Sequence, residues 1–191
     1  MVNKTKPAIC VFCGSSYGSN PQYAVAARTL GRLIAERGFS LVFGGGGPGL
    51  MGETARAVRD GGAPVFGVLP DFLRWVELPP EWEKDLIITP DLQERKTRML
   101  AMADAFVVLP GGAGTMDEFF EIVTSTSLGV IAKPILVVNT DGYFDTLGRL
   151  MSHIVREGFA RPQILDLYKF VDTPEEAIDA IADELGFQTR G

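Results

Sequence analysis

The segment PGGAGTMDE, residues 110–118, follows the apolar run 105–109 and precedes a run with helical spacing. It predicts a strand, a glycine turn and the start of a helix. Gly111, Gly112 and Gly114 carry no side chains that would block a ligand. Because the first N–H groups of a helix are unpaired and partly positive, we expect this turn to bind an anion such as a phosphate.

Glu118, at the end of this segment, has two explanations. Thr115 and Glu118 have the spacing of a capping box, in which the threonine caps the helix and the glutamate bonds back to the cap. Alternatively, a carboxylate in the first helical turn after a strand lies where open α/β sheets bind ligands. The spacing alone favours the cap, whereas the glycine-rich setting favours a functional group.

The length of 191 residues and the apolar content of 46% predict one domain, residues 1–191, with a full core. No apolar run is long enough to span a membrane, and the first six residues lack the apolar stretch of a signal peptide. We therefore expect a cytoplasmic protein without membrane contacts. The net charge of −6 argues against nucleic acid as a partner.

Cys10 and Cys13 lie in one strand-like run, where residues three apart point to opposite faces. We expect two reduced thiols in the core rather than a disulfide. With a single histidine, His153, the chain lacks the usual ligands of a zinc site. We expect no metal and no cofactor. His153 is interpreted as a surface or interface residue.

Strand-length apolar runs alternate with runs of helical spacing along the whole chain. The predicted strands are residues 8–12, 40–43, 65–69, 86–89, 105–109, 134–138 and 169–171. This alternation predicts an α/β fold, a doubly wound, mostly parallel sheet with helices on both faces. Residues 71–85 show neither period and are predicted to form a loop that contacts ligands.

Two further turns would lie at the same sheet edge as the first. Gly14-Ser15-Ser16 ends the first strand, and a glycine run at 44–52 follows the second. One phosphate-bearing ligand could touch all three turns, which makes Ser15, Gly45 and Gly46 candidate phosphate contacts.

The glycine run at 44–52 also contains G-x-G-x-x-G, with Asp71 about twenty residues further on, which leaves NAD binding as an alternative. However, this run follows the second strand rather than the first, and its central Gly-Pro is unusual for a dinucleotide turn.

Three cations, Arg95, Lys96 and Arg98, lie in the first two turns of the helix that Asp91 would cap. Cations at this end oppose the helix dipole. They indicate either a charged solvent face or a helix that faces an anionic ligand.

Several motifs together resemble the LOG family, the cytokinin riboside 5′-monophosphate phosphoribohydrolases, which were often labelled lysine decarboxylases. They are PGGAGTMDE at 110–118, Glu-Arg-Lys at 94–96, VFCGSS at 11–16, the glycine turn ending in GLMG at 44–52, Leu-Pro at 69–70 and VVNTDGYF at 137–144. The resemblance covers nearly the whole chain. It implies a Rossmann-like homodimer.

The resemblance also implies an activity, hydrolysis of the N-glycosidic bond of a nucleoside 5′-monophosphate to free base and ribose 5-phosphate. The family's catalytic arginine and glutamate fall on Arg95 and Glu118. Its substrate contacts fall on Glu77, Lys96, Gly112, Ala113, Gly114, Thr115 and Thr124. Two departures, TSTSLG at 124–129 and Gly47-Pro48, leave the base preference open between a cytokinin and AMP.

Breaking a ribose C1′–N bond develops positive charge on the sugar, so the site needs a carboxylate and a held water. Glu118 can stabilise that charge and orient or deprotonate the water. Arg95 is a poor proton donor, since the pKa of a guanidinium is above about 12, and we expect it to hold the ribose or phosphate and to tune Glu118. The donor to the leaving base stays open between Asp117 and solvent.

Two other functions are weighed against this one. A lysine decarboxylase would need pyridoxal phosphate on a lysine and usually a stacking histidine, and no lysine here has a persuasive setting. A non-catalytic nucleotide or cofactor carrier or sensor, built on the same glycine turns, is the alternative from another class. Such a carrier would bind AMP without releasing adenine.

Overall fold

The computed structural model describes residues 6–74 and 86–186, in which seven strands alternate with six α-helices. The strands are β1 Ala8–Phe12, β2 Ser40–Phe43, β3 Val65–Pro70, β4 Leu86–Thr89, β5 Ala105–Val108, β6 Ile135–Val138 and β7 Lys169–Val171. The helices are α1 Pro21–Glu36, α2 Gly49–Asp60, α3 Leu92–Met102, α4 Ala113–Ser127, α5 Asp145–Arg156 and α6 Pro174–Glu184. Short 3-10 turns occupy Asp71–Leu73, Thr140–Gly142 and Pro162–Asp166.

The described strands form one sheet in the order β4-β3-β2-β1-β5-β6-β7. Every pairing is parallel. The chain first adds strands on one side of β1 and then returns to place β5 on the other side. Ligands of open α/β sheets bind outside the carboxyl ends of the strands at such a switch point. The predicted α/β fold is confirmed, and the sheet is parallel throughout.

Two apolar layers cover the sheet. On one face α1, α2 and α6 contribute residues such as Leu30, Val58 and Ile178. On the other face α3, α4 and α5 contribute residues such as Met99 and Phe119. The alternation of strand side chains between these layers is the reason that the strands read as continuous apolar runs.

Both cysteines are buried free thiols, and they belong to opposite layers, Cys13 to the first and Cys10 to the second. The prediction of two reduced core thiols is confirmed. No helix in the described part of the chain has the length and apolar character needed to cross a membrane.

Candidate active site

The start of α4 is an open set of backbone donors. Gly112 precedes the helix with φ −88° and ψ −156°, and no side chain caps it. A Cβ added at Gly112 or Gly114 would meet no atom within 4 Å, so both glycines face open space. The first N–H groups of α4 therefore remain available to an anion.

The capping box predicted between Thr115 and Glu118 is wrong. The helix begins at Ala113 rather than at Thr115, because Gly112 takes the extended conformation of the cap. Thr115 is buried beneath the turn, where a Cβ on Gly111 would collide with its hydroxyl oxygen. Glu118 is thereby left free for another role.

The turn after β1 joins the turn after β5. The Gly14 N–H donates to the Pro110 carbonyl at 3.0 Å, and the Gly14 carbonyl accepts from the Leu50 N–H at 3.0 Å. Gly49 has φ +62°, and a Cβ there would collide with the Ser15 backbone. The start of α2 thus supports the Ser15 turn from behind, which explains the last glycine of the G-x-G-x-x-G pattern by packing.

Arg95, on α3, forms an ion pair with Glu118 on α4, with 3.3 Å between Nη2 and Oε1. The two side chains are 15% and 10% exposed. Arg95 Nε donates to the Val68 carbonyl on β3 at 3.2 Å. A Cβ on Gly44 would overlap the guanidinium, so the first glycine of the second run leaves room for Arg95.

Burial raises the pKa of Glu118 from its usual value to about 7. Arg95 and Lys96 pull this pKa down, whereas Asp117 and Glu121 push it up. A carboxyl group with a pKa near the working pH is suited to taking and giving protons. Perturbed groups of this kind are typical of functional sites.

Lys96 binds two further carboxylates of α4. Its Nζ lies 2.8 Å from Glu121 Oε2 and 3.1 Å from Asp117 Oδ2, and its side chain is 16% exposed. The hydrogen bond to Glu121 is the largest influence that raises the pKa of Lys96. Together with Arg95, these groups form a cluster of two cations and two carboxylates. Its net charge is zero as long as Glu118 is protonated. Ionised Glu118 adds a net negative charge, which favours its protonated form.

A cavity of about 290 Å³ opens between these groups. Its wall combines Cys13, Gly14 and Ser15 after β1 with Met51, Leu73, Arg95, the start of α4 and Glu118. The volume is close to the lower end of small-molecule sites, about 300 Å³. Among residues 6–74 and 86–186, no three His, Cys, Asp or Glu side chains are grouped to hold a metal ion.

The sequence is similar to those of curated plant proteins. A cytokinin riboside 5′-monophosphate phosphoribohydrolase of Arabidopsis thaliana is 39% identical over 175 residues, which covers 92% of this chain and 81% of that protein. A second Arabidopsis thaliana protein of the same name is 44% identical over 154 residues, covering 81% and 71%. A family model described as "Possible lysine decarboxylase" matches residues 51–181.

This chain belongs to the LOG family. The resemblance to this family inferred from the sequence is thereby confirmed.

Solved structures share the fold at lower identity. The molybdenum cofactor binding protein from Rippkaea orientalis superposes with a TM-score of 0.72 at 21% identity, covering 95% of this chain and 99% of that one. The Moco carrier protein of Chlamydomonas reinhardtii gives a TM-score of 0.72 at 21% identity, covering 95% and 98%. These likenesses concern the fold alone.

The cavity brings together several of the site residues predicted from the sequence. Ser15, Arg95, Glu118 and the helix-start residues Gly112, Gly114 and Thr115 line it. Lys96 lies beside it, bound to Asp117 and Glu121. Thr124 is exposed further along α4. Glu77 lies outside the described residues.

Three predicted glycine contacts lie outside this wall. Gly45 packs against β3, where an added Cβ would approach the Leu69 side chain at 3.0 Å. Gly46 is buried in the same run, and Gly111 lines a neighbouring cavity. Contact of one ligand with all three turns stays a prediction.

Sequence reasoning missed two residues with defined contacts at the site. Glu121 binds Lys96, and its spacing of three from Glu118 and four from Asp117 would have placed all three on one face of the helix. Tyr143 donates its hydroxyl to the Gly111 carbonyl across 32 positions of sequence. Local sequence patterns do not predict a contact between residues so far apart in the sequence.

Proposed function

We propose that this chain hydrolyses the N-glycosidic bond of a nucleoside 5′-monophosphate, releasing the free base and ribose 5-phosphate. The buried Arg95–Glu118 pair, in one cavity with the uncapped start of α4, is the observation that carries the proposal. The plant relatives are named for this reaction. The proposed substrates are cytokinin riboside 5′-monophosphates and AMP.

The phosphate would bind at the start of α4. The N–H groups of residues 112–115 and the Ser15 turn form the anion site, and Gly112 and Gly114 let the phosphate approach the backbone. Holding the phosphate places the ribose toward Glu118, so that binding energy remote from the reacting bond positions C1′. Lys96, a further proposed substrate contact, lies beside this site, where its charge is shared with Asp117 and Glu121.

Glu118 would act in its ionised form. As the C1′–N bond breaks, its electron pair passes to the base nitrogen, and the carboxylate stabilises the positive charge on the sugar. The oxygen of a water molecule bonds to C1′ while Glu118 takes a proton from that water. Arg95 stays protonated, holds the substrate and keeps Glu118 in place.

The leaving base would take its proton from solvent. Asp117, the other candidate donor, has a side chain that is 64% exposed and is bound to Lys96. The described residues that line the Glu118 cavity do not include Asp117, so we assign the proton to solvent.

The assembly and setting of the enzyme follow from the resemblance and from the composition. We propose a homodimer that acts in the cytoplasm without a cofactor, a nucleic acid or a membrane as partner. The two buried free thiols agree with a reducing compartment.

A non-catalytic carrier or sensor is the second candidate, because solved carrier proteins share the fold. A carrier needs an anion site but gains nothing from a buried carboxyl group with its pKa near neutral.

Incubation of the protein with AMP and with isopentenyladenosine monophosphate, followed by chromatography of the free base, separates the two functions. Release of base supports the hydrolase. Binding of both nucleotides without release would establish the carrier. Equal rates for the two nucleotides would mean that the enzyme is a general nucleoside 5′-monophosphate hydrolase rather than a cytokinin-specific one.

A further inference from the structure

The segment Asn139–Phe144, within the VVNTDGYF motif, has a strained backbone that the proposed chemistry does not explain. Asp141 has φ +51° and is the sole non-glycine residue with positive φ in the described ranges. Such conformations cost free energy and persist where surrounding contacts impose them. The contacts around this turn therefore indicate what it is built to hold.

Side chains fix the turn from both ends. Asn139 Oδ1 accepts from the Phe144 N–H at 2.6 Å, and Asn139 Nδ2 donates to Asp145 at 2.8 Å. Asp141 accepts from Asn20 Nδ2, at the start of α1, at 2.7 Å. Phe144 is buried in the core. Tyr143 thus lies between the hydrogen-bonded turn at Asp141 and the buried side chain of Phe144.

The Tyr143 hydroxyl donates to the Gly111 carbonyl at 2.5 Å. Its ring packs edge-on against Tyr23, with 5.4 Å between ring centroids. Both rings line a second cavity of about 270 Å³, and Gly112 forms part of the wall of this cavity and of the Glu118 cavity. Tyr143 therefore contacts the glycine turn from a cavity that adjoins the Glu118 cavity.

A planar trans peptide couples the two faces of the turn. The carbonyl of Gly111 and the N–H of Gly112 belong to one peptide group and point in opposite directions. Two adjacent glycines leave this peptide free to rotate in the absence of a restraint. A hydrogen bond that draws the Gly111 carbonyl toward Tyr143 therefore turns the Gly112 N–H away from Tyr143, and Gly112 also lines the Glu118 cavity.

We infer that Tyr143 is a positioning residue of the phosphate site, acting through the Gly111 carbonyl to aim the Gly112 N–H at the substrate phosphate. The inference rests on the proposed function in one respect, that the ligand of this site carries a phosphate. It assigns a role to the VVNTDGYF motif, which the catalytic groups leave unused.

The test compares Tyr143→Phe with Tyr23→Phe, both in a Glu118→Gln background that prevents consumption of the ligand. AMP and adenosine are titrated by calorimetry, and the thermal midpoint of each variant is measured. We expect Tyr143→Phe to weaken AMP binding about tenfold while leaving adenosine binding within about twofold, because only the phosphate contact is lost. Tyr23→Phe removes a hydroxyl from the same cavity and should change neither affinity.

Equal AMP affinity in Tyr143→Phe and its parent would overturn the inference. A parallel loss of AMP and adenosine affinity would also overturn it, since that would identify a general structural role. Failure of the Glu118→Gln parent to bind AMP would overturn it as well. Base release by the wild type is measured separately. A parent that binds AMP while the wild type releases no base would refute the proposed function and still decide the role of Tyr143.

Discussion

The carboxylate of Glu118 is placed where ionisation is unfavourable. Burial is the main cause, and the nearby carboxylates of Asp117 and Glu121 add to it. Arg95 offsets part of this effect at 3.3 Å. The balance leaves the pKa at about 7, so that the ionised form is available at neutral pH but remains basic enough to accept a proton.

The rate of base release should follow the ionisation of Glu118. We expect kcat/KM for AMP to rise about tenfold per pH unit below pH 7 and to level off above it. Lys96→Met should move the midpoint to higher pH, because a cation that lowers the pKa of Glu118 is removed. Glu121→Gln should move it to lower pH.

The two variants also serve as controls for the phosphate of AMP, which titrates with a pKa of about 6. If the midpoint of the pH profile stays fixed in both variants, the rise of kcat/KM with pH reflects ionisation of the AMP phosphate. That result would contradict the proposed role of Glu118.

The free energy of unfolding should fall with rising pH, whereas kcat/KM should rise. The folded protein binds the Glu118 proton more tightly than the unfolded chain, since the pKa is about 7 against an ordinary value of 4.5. The contribution is thus fully present below the unfolded pKa and is lost as the pH rises through the folded pKa. Between pH 5 and pH 8 we expect the free energy of unfolding of the wild type to fall by roughly 2 to 3 kcal/mol relative to Glu118→Gln.

Urea unfolding of both proteins at several pH values measures this difference. Parallel stability curves would mean that Glu118 titrates normally and that its burial has no electrostatic cost.

At the scale of elements, the glycines around the start of α4 have two different roles. Some leave room for the ligand, and others allow close packing of the backbone. Gly114 lies in the helix with open space beside it, whereas a Cβ on Gly111 would meet Thr115 and would lie 2.8 Å from the Gly14 nitrogen. The same substitution should therefore have opposite effects at the two positions.

We expect Gly114→Ala to raise the free energy of unfolding by about 0.4 to 1 kcal/mol, because alanine loses less backbone entropy on folding. The same change should raise KM for AMP at least about tenfold, because a methyl group then occupies the phosphate site. Thermal melts and steady-state kinetics provide the two measurements.

Gly111→Ala is the matched substitution and should lower the thermal midpoint. Unchanged KM in Gly114→Ala would show that the phosphate does not approach this part of the turn.

The sequence predicted the bounds of the strands to within one residue, since buried strands leave continuous apolar runs between turn residues. It failed at the start of α4, where the spacing of Thr115 and Glu118 is common to a capping box and to an active site. Flexible Gly112 could take the cap position without any side-chain signal. The contact of Tyr143 with Gly111 depends on strand order, which local patterns do not contain.

At the scale of the whole molecule, strand order creates the site. β1 lies between β2 and β5, so turns that are far apart in sequence, at Gly14 and at Pro110, are joined by a hydrogen bond of 3.0 Å. Alternating strands and helices predicted a parallel sheet, but the alternation is compatible with several strand orders. Family motifs indicated the candidate residues, and the fold explains why several of them meet.

The central claim is that the protein hydrolyses the N-glycosidic bond and that Glu118 takes part in this reaction. The most direct test is chromatographic measurement of the free base released from AMP and from isopentenyladenosine monophosphate. Wild type, Glu118→Gln and Glu94→Gln are compared; Glu94 is an exposed carboxylate of α3 paired with Arg98. The account predicts base release by the wild type and by Glu94→Gln, with a loss of at least about 100-fold in Glu118→Gln. Full activity in Glu118→Gln, or no release of base by the wild type from either nucleotide, would contradict it.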